Sequence, residues 1–397
     1  MNPPSDTPAQ SAPEVAVPVD AEAVVRSFAE RMYRVRRAMS EHGMKALLVS
    51  NGGDLPWLTG YAAMPLERIT MLVVRKDEPP VLLVPALEEP RVTRCGDLFE
   101  VRPWLDTDDP LDLVSAMVGR GGAGQVGLSD QAWAKTLLGL QARLPKTTLV
   151  SASAVTAPLR AVKDDLEVAM LAKAASAADR VASAIQASEV RFVGRTEAEV
   201  AGEIARRLLA EGHARVDFTI VGSGPNGASP HHDSSERVIG AGETVVCDFG
   251  GQVLVPGTAV GYCSDITRTV VTGQASDEVA ECYAVLRAAQ EAAVLAAVAG
   301  VAAEEVDRVA RSVIEDAGLG EAFVHRTGHG IGIETHEEPY IVAGNAKPLV
   351  AGNAFSVEPG IYHAHRFGMR LEDIVVVTPT GPRRLNHASH DLVSLER

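Results

Sequence analysis

Apolar side chains recur with helical spacing over residues 21–42 (Val24, Val25, Phe28, Met32, Val35, Met39), and Gly43 supplies a natural stop, so an amphipathic helix is expected there. Short apolar runs of strand length follow at 46–50, 70–74, 81–84, 99–101, 125–128 and 148–150. Helical spacing over 111–117 and 131–144 separates the later runs. Strands alternating with helices predict an α/β layer of about 150 residues. It gathers no cluster of catalytic residue types, which leaves it a supporting or substrate-fencing role.

From about residue 159 the pattern changes to long alanine-rich helices, with Asp164 or Asp165 set to cap one running toward Glu189. The chain is therefore expected to divide into a tail over 1–20, a first domain over 21–160 and a second over 161–397. Thr196-Glu197-Ala198-Glu199 is a capping-box sequence opening a second helix that ends at Gly212. The segment GRTEAEVAGEIARRLLAEG (194–212) aligns without a gap on GVAAEEVDRVARSVIEDAG (300–318). Gly194 falls on Gly300, Glu199 on Glu305, Val200 on Val306, Leu208 on Ile314 and Gly212 on Gly318. Two alanine-rich amphipathic helices can match by chance. A true repeat predicts two related α/β halves with a site between them.

Composition changes this picture little. A chain of 397 residues, 46% hydrophobic, has room for two domains and a large core. No run reaches the eighteen or so consecutive apolar residues of a membrane span, so no membrane partner is expected. The net charge of -15 argues against nucleic acid, whose phosphates need a basic surface. Residues 1–20 are rich in Pro, Ala and Ser, carry no Lys or Arg, and read as a disordered tail rather than a secretory signal. Four cysteines (Cys95, Cys247, Cys263, Cys282) are too few for a disulfide framework and lack zinc-motif spacing, which fits a reducing cytoplasm.

The candidate chemistry starts at DFGGQVLVPGTAVGYCSD, from Asp248 to Asp265. Each aspartate ends a short apolar stretch, with Gly and Pro between, which is a hairpin signature. Antiparallel pairing can bring both carboxylates to one face, where they repel unless a cation lies between them. Two surface turn aspartates would read the same way. Upstream, Gly222-Ser223-Gly224-Pro225-Asn226-Gly227 follows a strand and matches a dinucleotide fingerprint, but ASPHHDSSER after it offers no helix to meet a pyrophosphate. That loop carries His231 and His232. Downstream, HRTGHGIGIETHEEP supplies His329 between glycines and His336 seven residues on, while Glu358 and Glu372 each end an apolar strand. Four carboxylates and one imidazole would carry four negative charges, which two divalent cations balance. Such oxygen-rich ligation suits manganese, with cobalt, iron or zinc as alternatives. Paired cations activate water for hydrolysis of a carbonyl derivative.

Together these motifs resemble the pita-bread metallopeptidase family of Xaa-Pro aminopeptidases, Xaa-Pro dipeptidases (prolidases), methionine aminopeptidases and the metal-free creatinases. The front part, with RMYRVRRAMSEHGMKALLVS and WLTGY, is similar to the amino-terminal domain of the proline peptidases and creatinases. The resemblance implies an α/β (α+β) chain, in which a creatinase-like α/β domain precedes a pseudo-two-fold pita-bread catalytic domain. It makes Asp248, Asp265, His329, Glu358 and Glu372 the two-metal ligands, His231 and His336 the catalytic histidines, and Arg370 an orienting residue. Creatinases lose the metal ligands, and all five are present here. The stretch between Asp248 and Asp265 is about six residues longer than the family usually shows; an even insertion preserves the face of each aspartate. The extra loop is expected to border the substrate entrance or a subunit contact.

The activity implied is hydrolysis of the Xaa-Pro bond of dipeptides or short proline-containing peptides, most simply by an Xaa-Pro dipeptidase acting as a homodimer. An Xaa-Pro aminopeptidase, a non-peptidase hydrolase or lyase of the same fold, and an inactive binding module are the alternatives. Intact ligands oppose the last two.

Overall fold

The computed structural model describes residues 19–119 and 122–395, so nearly all of the expected tail lies outside the described residues. Helix α1 (Ala21–Glu41) starts where Asp20 accepts a hydrogen bond from the Ala23 amide at 2.7 Å, and it ends beside Gly43 at φ 66°. Its buried stripe of Val24, Phe28, Met32, Val35 and Met39 follows the apolar spacing. Then come β1 (Met44–Val49), α2 (Asp54–Thr59), β2 (Met71–Arg75), β3 (Val81–Pro85), β4 (Glu100–Trp104), α3 (Pro110–Val118), β5 (Gly124–Leu128), α4 (Ala134–Arg143), β6 (Thr147–Ser151) and α5 (Ser153–Ala161). The six strands form one mixed sheet in the order β4-β3-β2-β1-β5-β6. The two short helices α2 and α5 are absent from the elements expected from the sequence, and α5 contains Pro158.

The second part opens with α6 (Asp165–Gln186) and α7 (Glu197–Ala210), capped by reciprocal boxes at Asp164/Glu167 and Thr196/Glu199. It continues with β7 (Arg215–Ser223), β8 (Thr244–Leu254), β9 (Gly261–Cys263) and β10 (Ile266–Val271), then α8 (Asp277–Ala296) and α9 (Ala303–Asp316). The last strands are β11 (Gly328–Gly330), β12 (Glu337–Ile341), β13 (Ala354–Val357), β14 (Gly360–His363), β15 (Phe367–Arg370), β16 (Asp373–Thr378), β17 (Gly381–Arg384) and β18 (Val393–Ser394). One sheet runs β18-β10-β8-β7 with β9 paired to β8; a second runs β12-β11-β13-β16-β17; β14 and β15 form a separate ribbon. Helices α6 and α7 pack on the first sheet and α8 and α9 on the second.

The sequence repeat is structural. Gly194 and Gly300 both hold positive φ (82° and 92°), as do Gly212 and Gly318 (105° and 76°). The Gly194 amide donates to the Ile239 carbonyl at 3.0 Å, and Gly300 does the same to Leu349 at 2.8 Å. One helical turn on, Glu197 donates to Arg237 and Ala303 to Lys347, both at 3.0 Å. Chance similarity of two helices would not reproduce their bonds to the rest of each half. The two halves are pseudo-symmetric, with their sheets meeting at the strands that carry the candidate ligands.

The expected pairing within the 248–265 stretch needs correction. Strand β8 continues six residues beyond Asp248, and Asp248 faces Thr267 rather than Asp265 in the ladder. Asp265 stands two positions before Thr267, in the gap between β9 and β10, and thus reaches the same face diagonally. No residue of the extra loop lines the cavity that holds the candidate ligands. Val253, Val255, Val260 and Tyr262 bury in the core shared with α1 and α2, and the Ala259 amide donates to the Gly60 carbonyl at 3.0 Å. An apolar tip of this kind is driven onto the first layer by burial. Beneath it, Arg31 of α1, 1% exposed, reaches Asp164, Glu167 and the Trp57 carbonyl, while Tyr262 donates to Glu167 at 2.9 Å.

Candidate metal centre

Strand ends of both halves converge on one cavity of about 860 Å³, a volume ordinary for a small-molecule site. Its wall includes every residue singled out from the sequence: Asp248, Asp265, His329, Glu358 and Glu372, together with His231, His336 and Arg370. Asp265, His329 and Glu372 form the tightest group, each offering one ligand atom within 4.8 Å of the others. Glu358 adjoins it, with Oε1 3.2 Å from His329 Nε2. Asp248 is turned partly aside, its Oδ2 accepting from Arg370 Nη2 at 2.5 Å.

The local sequence explains why His329 sits here. A Cβ added at Gly328 would lie 1.8 Å from the Ser356 carbonyl oxygen, and one at Gly330 would lie 2.2 Å from that of Glu338. Only glycines let β11 lie this close to β13 and β12. The close approach is to neighbouring strands rather than to a ligand of the imidazole. The backbone N–H of His329 donates to Ser356 Oγ at 3.0 Å, and that hydroxyl donates to Glu358 Oε1 at 3.0 Å. His329 Nδ1 lies 3.2 Å from the Gly330 carbonyl, and Nε2 faces the carboxylates, 3.2 Å from Glu358 and 3.7 Å from Asp265.

The electrostatics are those of crowded anions. Burial, reinforced by the Glu372, Asp248 and Glu358 charges, pushes Asp265 well above the usual carboxylate range. Burial and the charges of Glu358 and Asp248 do the same to Glu372. Asp248 is raised mainly by burial, against the pull of Arg370. Glu358 goes the other way: burial is outweighed by the His329 hydrogen bond and charge, which hold it down at about 2. The His336 ring lies 4.0 Å from that of His329, and burial with the His329 and Arg326 charges lowers it to about 4. One carboxylate oxygen of Asp248 (Oδ1) and one of Glu372 (Oε1) are buried with no hydrogen-bond partner. Orphaned acceptors, mutually repelling carboxylates and an imidazole nitrogen among them are the donor set a divalent cation satisfies.

Several residues without a sequence signal complete the site. Thr267 Oγ1 donates to Glu372 Oε2 at 2.7 Å and accepts from Arg370 Nε at 3.0 Å. Tyr362 accepts from Arg370 Nη1 at 2.8 Å and lies 3.0 Å from His325 Nε2. Of the His231-His232 pair, His232 is tied to Glu197 at 2.8 Å, whereas His231 is exposed on the cavity wall. Glu197, fully buried, also accepts from the backbone and hydroxyl of both Ser223 and Ser235 and from Asn226. These bonds outweigh burial and hold its carboxyl at about 2. Its capping-box position concealed this role, because the partners lie 26 to 38 residues away. The fingerprint-like glycines form only a short 3-10 turn (Gly224–Ala228), so the dinucleotide reading fails as expected.

A buried imidazole–carboxylate cluster in the main cavity of a pseudo-symmetric α/β unit is the architecture of a metal-dependent hydrolase. Residues 169–379 match the metallopeptidase family M24, and residues 31–162 match the creatinase/prolidase N-terminal domain. A protein named probable dipeptidase PepE from Mycobacterium tuberculosis is 43% identical over 369 residues, covering 92% of this chain and 96% of that one. An Xaa-Pro dipeptidase from Lactobacillus delbrueckii subsp. lactis is 36% identical, covering 90% and 97%. The crystal structure of dipeptidase PepE from Mycobacterium ulcerans superposes with a TM-score of 0.87 at 45% identity, covering 94% and 99%. The chain belongs to metallopeptidase family M24, its catalytic domain preceded by a creatinase-type domain.

Proposed function

We propose that the protein is an Xaa-Pro dipeptidase, hydrolysing the bond between an amino-terminal residue and a following proline. The observation that carries this reading is the convergence of Asp248, Asp265, His329, Glu358 and Glu372 on one cavity, with buried oxygens of Asp248 and Glu372 left without partners. These five side chains would hold two divalent cations, manganese by the preference of an oxygen-rich set with one imidazole. The cations supply Lewis acidity, lowering the pKa of a water and polarising the scissile carbonyl. His336, neutral at physiological pH, donates a hydrogen bond to the carbonyl oxygen as charge develops there. Glu358 or Glu372 carries the proton to the leaving imino nitrogen. His231 borders the proline ring, and Arg370 with Thr267 keeps Asp248 and Glu372 oriented. Proline's nitrogen bears no hydrogen before cleavage, so the pocket accepts the ring without stranding a donor.

The reading is supported further by the name of the Lactobacillus relative. It includes division of the chain near residue 160, a homodimer and a cytoplasmic setting. Manganese-loaded and chelator-treated protein should be compared on Ala-Pro and Ala-Pro-Ala. Metal-dependent cleavage of the dipeptide with little action on the tripeptide is expected. Cleavage of the tripeptide alone would identify an aminopeptidase, and turnover indifferent to metal would defeat the metallopeptidase mechanism.

A further inference from the structure

Resting on the dipeptidase reading, we propose that Asp217 forms a subsite for the first residue of the substrate and selects a lysine or arginine side chain there. The register of β7 against β8 places the subsite. Ile220 stands opposite Asp248 and Phe218 opposite Gly250, and opposed residues share a face, so both apolar side chains lie on the face that carries Asp248. Strict alternation would turn Asp217 to the other face. The register shifts between Val216 and Phe218, which leaves Asp217 as the extra residue of a bulge. Val216 packs into the core behind the sheet, and Asp217 joins Phe218 and Ile220 on the cavity wall. Across from Phe218, Gly250 supplies no side chain, and a Cβ there would lie 2.8 Å from Phe218 Cζ. The Phe218 ring thus covers bare backbone and floors a lane from the candidate ligands to Asp217.

The dimensions single out a long side chain. Asp217 is three positions from Ile220, about 10 Å along the strand. The substrate's α-ammonium, two bonds from the scissile carbonyl carbon, stays within about 2.5 Å of it and cannot span that gap. A lysine or arginine stem adds about 6 Å, so its methylenes lie along Phe218 and Ile220 while the charged head meets the carboxylate. Among the described residues two acids line the cavity outside the five candidate ligands, Asp217 and Asp233. Asp233 is exposed on the loop bearing His231, whereas the Asp217 side chain, on a strand, is 17% exposed. Asp217 pairs with Arg215 at 2.5 Å, and the Arg215 side chain is 64% exposed. An ion pair open to water is weak, and a carboxylate accepts from more than one donor, so Arg215 does not close the subsite to a substrate cation.

The test measures kcat/KM for Lys-Pro against norleucyl-Pro, which has the same stem without the charge, in wild type, Asp217→Asn, Asp217→Lys and Asp233→Asn. All are full length and loaded with the same divalent metal. The wild type is expected to favour Lys-Pro by about 10-fold, and by less in high salt. Asp217→Asn should bring the ratio near one, Asp217→Lys should invert it, and Asp233→Asn should leave the preference standing. Thermal unfolding and metal content identify folded variants, with Asp217→Lys deciding if Asp217→Asn is not folded. A wild type without preference for the basic residue, a preference that survives both Asp217 variants, or one lost equally in Asp233→Asn overturns the proposal. Lys-Pro-Ala against norleucyl-Pro-Ala separates this inference from the reading it rests on. An Asp217-dependent preference confined to the tripeptides would refute the dipeptidase reading and keep the subsite, whereas dipeptides cleaved without regard to charge would do the reverse.

Discussion

Four carboxylates around one imidazole are poor neighbours until a cation joins them, and this fixes how stability should respond to pH. The raised values of Asp265 and Glu372 mean that the folded metal-free chain binds more protons than the unfolded one above the ordinary carboxylate range. Their contribution is fully present below the unfolded values and is lost as pH rises through the folded ones. The unfolding temperature of chelator-treated protein should therefore fall as pH rises above about 5, and added divalent metal should restore most at the alkaline end. A metal-free unfolding temperature that rises with pH over this interval would contradict it. Glu197 acts oppositely: its lowered value gives stability that is present above the ordinary glutamate range and is lost as pH falls toward about 2. At this scale the four acids and the histidine that line the cavity could be picked out of the sequence, because each lies in or after a short apolar run interrupted by glycine, proline or a second polar residue. Glu197 could not, since its set of loop donors leaves no local pattern.

At the scale of elements, the strands of the first layer and the long helices could be read from periodicity, and the repeat from aligned glycines. The departures share a cause. Helix α2 is too short to show a period, α5 carries a proline, and the pairing of Asp248 with Thr267 follows from how far β8 runs past Asp248, which sequence alternation does not fix. The glycines themselves divide sharply by surroundings. Gly328→Ala would drive a methyl into the Ser356 carbonyl, so it should cost about 2 kcal/mol or more and weaken metal uptake, as read by chemical denaturation and metal titration. Gly202→Ala, inside α7 with nothing closer than 3.9 Å, should instead stabilise by about 0.5–1 kcal/mol. Equal effects at the two positions would show that β11 and β13 are not packed as described.

Over the whole molecule, the amino-terminal layer does more than precede the catalytic part. Arg160 of α5 pairs with Asp54, Glu334 and Glu337, and Lys163 joins Glu337, so the segment bearing His336 is bolted to the first layer by buried ion pairs. Replacing Arg160 with Met leaves Glu337 partly unpaired and should destabilise the protein by about 3–5 kcal/mol, with a larger loss in turnover than in metal content. Loss of metal without loss of turnover would place the coupling elsewhere. The homodimer expected from the resemblance predicts twice the 41.9 kDa chain mass by light scattering.

The matched halves carry one consequence further. Asp248 and Asp265 come from the half containing α7, whereas His329, Glu358 and Glu372 come from the half containing α9. Neither could retain a cation pair by itself, so the affinity for metal gauges how firmly the two are docked. Any compound or substitution that wedges them apart should be detectable as metal released from the loaded protein before the chain unfolds.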